Sequence, residues 1–405
     1  MSTFAFGTYR VSDKDPMHIE ALREAIEAGV ELIDTSTNYT DGGAERAIAK
    51  AMSFFNDETR KKIKIVSKFG YIQGSNLQAH KENPYEDVVE FSQSCYHSIN
   101  KTFLKEQLTK SLERLELHTI DCYLIHNPEY YIYEAIKKDI PRDEMLDSMF
   151  ERIYEAFIGL EQEVIEGRIN SYGISSNSFS KASNDAEFLP YEDLITLAQK
   201  AAKSAGAKEH HFTTVEMPIN LLETEGLKCA AWAKKNGLRV LCNRGLNAQK
   251  NKLMYRLADY DEPKEYYHAF NELLDICDNK QLKVLYNLIE QMDANKHKFG
   301  WIGDYDSFLF TQILPHIKNT IQNMPKDVLD VMLRYIDTFL VLYRQMVAYE
   351  CAKATKVQLK EYFKDCDKKM QACALEYLLD QNDIDYVIVG MRRPTYVQEV
   401  MALKS

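Results

Sequence analysis

Short runs of apolar and β-branched residues alternate along the chain with longer amphipathic stretches. This alternation is typical of parallel strands joined by crossover helices. The short runs predict eight strands, at residues 3–6, 31–34, 63–67, 119–124, 169–174, 212–216, 238–242 and 386–389. The longer stretches predict helices that mostly end near a glycine or a basic residue, at 17–28, 44–55, 104–115, 145–166, 191–205 and 227–236. The pattern therefore predicts an α/β fold, a (β/α)₈ TIM barrel.

Two stretches interrupt the alternation. Residues 71–101 form a polar, aromatic-containing insertion after the third strand, and a long loop of this kind is usually functional or disordered. Residues 247–355 form a larger insertion after the seventh strand, with helical patterns at 266–277, 281–292, 307–324 and 328–354. We therefore expect one domain over 1–405 that contains a helical insertion at 247–355.

Composition narrows the classes of partner. The chain has 405 residues, is 45% hydrophobic and carries a formal charge of −11 that is spread along its length. A protein that binds nucleic acid or an anionic membrane usually carries a basic patch, so we expect neither partner. The apolar stretch 328–351 contains Asp330, Arg334, Asp337 and Arg344, which predicts a buried helix in water and not a membrane span.

Cysteine usage and the N-terminus bear on the compartment. None of the eight cysteines has CxxC spacing, and Cys122 and Cys242 lie inside apolar runs, which predicts buried free thiols and no disulfide framework. The sequence begins MSTFAFGTYR, which lacks the basic and apolar regions of a secretory signal. We expect a cytoplasmic protein, and we predict no metal site.

Ionisable side chains follow three successive strands. Asp34 and Tyr39 come after the second strand, Lys68 after the third and His126 after the fourth. Each has a simpler explanation by itself: a turn aspartate, a packing aromatic, a surface lysine or a core histidine. Barrel enzymes, however, have their active sites at the C-terminal ends of the strands. Burial of Asp34 and Lys68 at that end would be costly unless the two side chains paired, so the combination favours an active site.

The chemistry of this set follows from its residue types. A free tyrosine has a pKa near 10, and a neighbouring ammonium such as Lys68 is expected to lower that pKa by roughly 1 to 3 units. Asp34 would hold Lys68 in place, and His126 would hydrogen-bond a substrate carbonyl oxygen. None of these side chains carries electrons, so a bound hydride donor is required.

Six motifs in order resemble those of the aldo-keto reductases, over most of residues 4–246 and 366–400. They are FGTYR, GVELIDTSTNY followed by GGAE, IVSKFG, SLERLELHTIDCYLIHNP, GRINSYGISSNSF and VIVGMRRPTYVQE. The resemblance implies that Asp34, Tyr39, Lys68 and His126 are the catalytic tetrad. It also implies NADPH or NADH as cofactor, bound across the barrel mouth without a glycine-rich Rossmann motif.

The resemblance also implies a set of cofactor-binding residues. Ser175, with Ser176 or Asn177, lies where the family contacts the nicotinamide carboxamide, and Glu216 replaces the usual Gln. Asn243 lies where many family members have an aromatic residue that stacks on the nicotinamide. It is part of the sequence NRGLNA, which is similar to the NRPLNA of one branch of the family. Stacking on the nicotinamide is then lost or supplied by the guanidinium of Arg244, and Leu246 is also assigned to the cofactor. The adenosine end is assigned to Gly390, Arg392, Arg393 and Glu399. Either arginine of the last loop would favour NADPH over NADH, and surface ion pairing is the equal alternative.

Substrate contacts are expected from residues at strand ends and in the loops that follow, namely Tyr9, Arg10, Tyr71, Asn127, Tyr130 and Tyr131. Arg10 would bind an anionic substrate or form a salt bridge within the fold, and the tyrosines would otherwise be packing residues. We expect the family's N-terminal hairpin to be absent, because the first predicted strand begins near Thr3. The insertion at 247–355 is expected to form a lid, a wall over the cofactor, or the surface of a homodimer.

The expected function is reversible reduction of a small aldehyde or ketone, with hydride transferred from the nicotinamide and Tyr39 as proton donor. Two alternatives remain open at this point. One is a nucleotide-binding regulatory barrel with little turnover, as in potassium-channel beta subunits. The other is a dehydrogenase that works in the oxidising direction on a sugar or polyol.

Overall fold

The computed structural model describes residues 2–322 and 324–404. The chain divides into two compact units. The first unit consists of Met1–Gly245 and Leu375–Ser405, and the second of Leu246–Ala374.

The first unit is built on a closed barrel of eight parallel strands, which confirms the predicted (β/α)₈ fold. The strands are β1 Thr3–Gly7, β2 Leu32–Asp34, β3 Lys64–Phe69, β4 Cys122–His126, β5 Tyr172–Ser175, β6 Phe212–Pro218, β7 Arg239–Asn243 and β8 Tyr386–Val389. Consecutive strands pair, and β8 pairs with both β7 and β1. The strands are almost continuously apolar because both faces of the sheet are covered. Side chains from five of them form one apolar cluster: Ala5, Leu32, Val66, Cys122, Leu124 and Leu241.

Helices follow the strands close to the predicted positions. Their bounds in the first unit are Pro16–Glu27, Gly43–Met52, Asp57–Lys62, Gly74–Glu82, Lys101–Leu115, Tyr130–Lys137, Arg142–Ile165, Leu194–Ala205, Gly226–Lys235 and Pro394–Met401, and Met370–Leu379 spans the boundary between units. Local chemistry sets several ends. Asp15 accepts a hydrogen bond from the backbone N–H of Met17, and Asn100 does the same for Thr102.

The segment 71–101 is folded, and the prediction of a long loop there is wrong. Strands Tyr71–Ile72, Val89–Ser92 and Cys95–His97 form an antiparallel sheet, and helix Gly74–Glu82 lies between the first two. Asn76 and Gln107 exchange two buried amide hydrogen bonds of 2.7 and 3.1 Å, which fasten this helix to Lys101–Leu115. Long-range side-chain pairing of this kind is not visible in a local pattern.

The second unit contains a hairpin and a helical bundle. Strands Asn247–Lys250 and Leu253–Arg256 pair across a turn in which Asn251 and Lys252 have positive φ. The helices are Tyr266–Cys277, Lys283–Asn295, Ile302–Phe308, Leu314–Ile321 and Lys326–Gln358. Their core includes the buried side chains Tyr266, Leu285, Ile289, Phe339, Tyr343 and Val347. The predicted helix at 328–354 is confirmed within Lys326–Gln358.

The helical pattern predicted at 307–324 is confirmed as far as Ile321, but the segment is not one regular α-helix. A π-helical turn, Leu309–Ile313, separates Ile302–Phe308 from Leu314–Ile321. Pro315 occupies the first turn of the second helix and has no backbone N–H to donate to the preceding turn. The helical hydrogen-bond register therefore changes just before the proline.

The prediction of eight free cysteines is also wrong. Cys366 and Cys373 form a disulfide, with their Cα atoms 6.2 Å apart. The other six cysteines are buried and free, as predicted: Cys95, Cys122, Cys229, Cys242, Cys277 and Cys351.

Within 2–322 and 324–404, no helix is long and apolar enough to cross a membrane.

Candidate active site

Lys68 lies at the centre of the site. It comes from β3, and its side chain is completely buried. Its Nζ bonds the Asp34 carboxylate at the end of β2, and lies 3.1 Å from the Thr35 carbonyl oxygen and 3.3 Å from Glu216 Oε2. Asp34 and Thr35 accept hydrogen bonds from Nζ, whereas Glu216 Oε2 lies within ion-pair distance but has no hydrogen-bond partner among the described residues. The predicted pairing of Asp34 with Lys68 is therefore present.

Glu216 is the unexpected partner. The sequence assigns it to the nicotinamide, whereas one oxygen of its buried carboxylate contacts Lys68 and the other accepts a 2.8 Å hydrogen bond from Asn243 Nδ2. Asn243 Oδ1 is buried without a hydrogen-bond partner among the described residues. The sequence shows a charged residue, Glu216, near the end of β6. It does not show that the partner is Lys68, because β3 and β6 are brought together only when the barrel closes.

The three buried charges affect each other. Burial and the neighbouring Glu216 carboxylate raise the pKa of Asp34 well above its usual value, and Lys68 opposes them. Burial alone would lower the pKa of Lys68, but Asp34 and Glu216 more than offset this and raise it. Lys68 is therefore held in its charged form.

Tyr39 lies close to this group of charges. Its ring centroid is 5.5 Å from Lys68 Nζ, and its side chain keeps part of its surface exposed. Burial by the surrounding protein raises the pKa of Tyr39, the Lys68 ammonium lowers it, and Asp34 and Glu216 raise it further. Lys68 acts in the expected direction, but the expectation of a lowered pKa is wrong because burial outweighs it.

His126, at the end of β4, completes the group. Its ring centroid is 5.9 Å from that of Tyr39. Burial, Lys68 and His97 lower the pKa of His126 well below the usual value, so the imidazole is neutral. The Ser36 hydroxyl lies 3.0 Å from His126 Nδ1 and thus bears on which ring nitrogen carries the proton. Sequence reasoning missed Ser36, although it lies inside the motif that supplies Asp34 and Tyr39.

The residues predicted after β5 are held by another residue that was missed. Ser175 ends β5 and is paired in register with Glu216 of β6. Ser176 Oγ donates to Glu129 at 2.8 Å, and the Asn177 backbone and side-chain nitrogens donate to it at 2.9 and 3.0 Å. Glu129 is completely buried. It lies in the HNPE sequence that follows β4, where only the histidine and asparagine were singled out.

The residues after β7 separate into different environments. Arg244 has a φ of 57° and donates from Nη2 to both oxygens of Glu223 at 2.9 Å, and Asn220 also donates to Glu223. A stacking role for Arg244 would require its guanidinium to leave this carboxylate. Leu246 begins the second unit, where its carbonyl oxygen accepts from the backbone N–H of Leu257.

Gly390, Arg392, Arg393 and Glu399 follow β8. Gly390 is open, since the nearest atom to a Cβ built there would be the Gly7 carbonyl oxygen at 3.9 Å. Arg393 is exposed and precedes helix Pro394–Met401, which carries the exposed Glu399. Burial lowers the pKa of His18, and the nearby positive charges of Arg392 and Arg393 lower it further.

Three of the six predicted substrate residues, Tyr71, Asn127 and Tyr130, form a hydrogen-bonded group beside His126. The ring centroids of Tyr71 and His126 are 4.8 Å apart, and Asn127 Nδ2 donates to the Tyr71 hydroxyl, which donates to Tyr130. Tyr9 is 65% exposed and meets Tyr39 edge to face at 5.3 Å. Arg10 lies 5.9 Å from the Tyr9 ring centroid. Tyr131 instead lies under the Arg152 guanidinium, at 4.2 Å.

Two features fit a dinucleotide. Asn243 Oδ1 is a buried acceptor with no partner among the described residues, as a cofactor amide N–H would require. The open backbone at Gly390, beside two arginines at a helix N-terminus, suits a phosphate.

Comparison with known proteins agrees with the family that the sequence motifs resemble. The model of the Aldo/keto reductase family matches residues 3–404. An uncharacterized oxidoreductase of Bacillus subtilis is 27% identical over 176 residues, which are 44% of this chain and 45% of that protein. The methylglyoxal reductase of Escherichia coli is 25% identical over 162 residues, which are 40% of each chain. The matched region thus spans less than half the length of these curated relatives.

Solved structures also match. A glycerol dehydrogenase from Gluconobacter oxydans is 16% identical with a TM-score of 0.48, over 99% of this chain and 86% of that chain. An aldo/keto reductase from Klebsiella pneumoniae, solved in complex with NADP and acetate, is 20% identical with a TM-score of 0.38. That match covers 60% of this chain and 64% of the other.

Proposed function

Because the chain belongs to the aldo/keto reductase family, we propose that it reduces a small aldehyde or ketone with NADPH or NADH, reversibly, and that Tyr39 donates the proton. The observation that carries this proposal is the buried Lys68 ammonium, which is bonded to Asp34 and lies 5.5 Å from the Tyr39 ring. A phenol beside a buried cation is suited to give up a proton in a transition state.

Each protein side chain has a distinct role in this proposal. Tyr39 protonates the carbonyl oxygen, and Lys68 stabilises the phenolate that remains. Asp34 keeps Lys68 in position. His126 stays neutral, and it can donate to the carbonyl oxygen through Nε2 only in the tautomer in which Nδ1 accepts from Ser36. In that tautomer the single Ser36 hydroxyl hydrogen must turn to Nδ1 and away from Asn38 Oδ1, which lies 2.7 Å from Ser36 Oγ.

A bound nicotinamide would supply the hydride that no side chain can provide. Ser175, Glu216 and Asn243 would hold its amide end, with Ser176 and Asn177 in the loop that Glu129 fastens. Gly390, Arg392 and Arg393 would hold the far phosphates, and this favours NADPH.

Because burial raises the pKa of Tyr39, its phenol is protonated near neutral pH, which is the form that reduction uses. The Lys68 ammonium opposes that rise and so makes the phenol a better acid than burial alone would. An enzyme that oxidises a sugar or polyol would need the phenolate. Methylglyoxal, the substrate named for the Escherichia coli relative, is therefore a first substrate to assay.

Replacement of Tyr39 tests the proposal. Y39F should lower kcat for NADPH-dependent aldehyde reduction by about 10² to 10⁴, because one general acid contributes that much. The affinity for NADPH, measured by fluorescence titration, should stay unchanged. Y131F is the matched control and should keep wild-type turnover, since its ring packs against Arg152. Near-normal turnover in Y39F would rule out the assigned proton donor.

A barrel with little turnover is the second candidate, because the Glu216 carboxylate competes with Tyr39 for the Lys68 charge. NADPH binding without oxidation of NADPH by any of a panel of aldehydes would identify this candidate. Absence of binding to either nicotinamide nucleotide would contradict both.

A further inference from the structure

Lys68 is shared between two carboxylates. Asp34 and Glu216 approach its Nζ from β2 and β6, and all three side chains are at least 95% buried. The carboxylates are also close enough to each other for Glu216 to raise the proton affinity of Asp34. One ammonium therefore faces up to two negative charges in a region with little water to screen them.

This arrangement changes what Tyr39 experiences. A phenolate at Tyr39 would be attracted by Lys68 and repelled by Asp34 and Glu216. With a neutral residue at 216, the same ammonium would be balanced by one carboxylate only. The identity of residue 216 thus sets how much positive charge is left to stabilise the phenolate.

We propose that Glu216 is a positioning residue that sets the proton affinity of Tyr39 by holding Lys68 from β6 and taking up part of its charge. This inference rests on the proposed function. It gives residue 216 an effect on proton transfer, in addition to any contact with the cofactor.

The groups that face Tyr39 come from five places in the fold. They are Tyr9 after β1, Asp34 of β2, Lys68 of β3, His126 of β4 and Glu216 of β6. Burial keeps His126 neutral. Lys68 is the positively charged group among these five. Neutralising Glu216 would leave the ion pair between Lys68 and Asp34 in place.

The replacement E216Q is nearly isosteric and removes only the charge. The new amide oxygen can still accept the hydrogen bond from Asn243 Nδ2. With one carboxylate removed, Lys68 favours the Tyr39 phenolate more strongly, so the pKa of Tyr39 should fall. We expect a fall on the order of 1 pH unit or more, as is usual for loss of a close like charge.

The titration is measured without cofactor or turnover. The protein is labelled with ¹³Cζ-tyrosine, the Tyr39 resonance is assigned by its loss in Y39F, and its chemical shift is followed with pH by NMR. The Tyr39 midpoint should be lower in E216Q than in the wild type. An unmoved midpoint overturns the inference. Should E216Q not fold, E216M also removes the charge and carries the same expectation.

Two controls separate charge from other effects. E216D keeps the charge, so its Tyr39 midpoint should stay closer to the wild type than that of E216Q. E129Q neutralises another buried carboxylate, which holds Ser176 and Asn177 and does not contact Lys68. Its Tyr39 midpoint should not move, whatever its effect on cofactor binding. A fall as large as that in E216Q would contradict a specific role for Glu216.

The pH profile of reduction gives a second readout. Activity needs protonated Tyr39, so the falling limb at high pH should begin at lower pH in E216Q. If the wild type lacks NADPH-dependent turnover but the NMR midpoint moves, the proposed function fails and the inference stands. If turnover is present and neither the midpoint nor the limb moves, the inference alone fails.

Discussion

A lysine that is buried between two carboxylates makes its own removal costly. In K68M, Asp34 and Glu216 would remain buried with no cation, and breaking a buried pair in this way costs about 3 to 5 kcal/mol. The folded state would then bind protons that the unfolded chain releases, so the loss of stability should shrink from about pH 8 to about pH 5. Urea denaturation at both pH values measures this.

The same strand offers the control for that experiment. The Lys64 side chain is 51% exposed and pairs with Asp121, so K64M should change the free energy of unfolding by at most about 1 kcal/mol. A deficit in K68M that is equal at both pH values would contradict the assignment of two buried carboxylates to Lys68.

At the scale of single residues, the sequence predicted which side chains meet but not all of their partners. Asp34, Lys68 and His126 end neighbouring parallel strands, and such strand ends share one side of a barrel. The contacts of Glu216 with Lys68, Ser36 with His126 and Glu129 with the Ser176 loop depend on side-chain directions across several strands. No periodic pattern specifies those directions.

At the scale of elements, β5 and β6 approach each other closely at Gly173. The pairing is irregular at Gly173, and a Cβ built there would lie 2.0 Å from the Thr214 carbonyl oxygen. Because the obstacle is backbone, G173A should destabilise the barrel by about 3 kcal/mol or more. Chemical denaturation followed by the fluorescence of Trp232, which lies in the first unit, measures this.

A second glycine provides the comparison. A Cβ at Gly300 would find its nearest neighbour, an Asp304 side-chain oxygen, at an ordinary 3.5 Å. G300A should therefore leave the stability within about 0.5 kcal/mol of the wild type. Equal effects of the two replacements would show that the β5–β6 approach is not tight.

The eight strands were predictable because buried parallel strands are continuous apolar runs, and their bounds differ from the prediction by a few residues only. The folded segment 71–101 and the interrupted helix at 307–324 were not. The first is fastened by the distant pair Asn76 and Gln107, and the second changes register before Pro315. A contact between residues far apart in the sequence and a change of hydrogen-bond register do not alter the local hydrophobic period, so neither could be predicted from it.

At the scale of the whole molecule, the disulfide belongs to the second unit. Cys366 and Cys373 close a short loop, so their replacement by serine should lower the stability of that unit by about 2 kcal/mol. The two tryptophans lie in different units, Trp232 in the first and Trp301 in the second. In a W232F background, Trp301 fluorescence should report an earlier urea transition for C366S/C373S.

Reductant is the internal control for that prediction. Dithiothreitol should shift the Trp301 transition of the protein with both cysteines and leave that of C366S/C373S unchanged. Insensitivity of both would mean that the bond contributes nothing to the stability of the unit.

The roles expected for 247–355, as a lid, a wall or a dimer surface, stay predictions, as does the single-domain organisation.

The position of β8 has a consequence for how the protein is made. This strand alone joins β7 to β1, and it is encoded after the whole of the second unit. During synthesis the ribosome must therefore complete the second unit while two edges of the unfinished sheet keep their backbone hydrogen-bonding groups unpaired. Nascent chains that stall in that interval would expose edges prone to join other strands, so they are the form that most needs a chaperone.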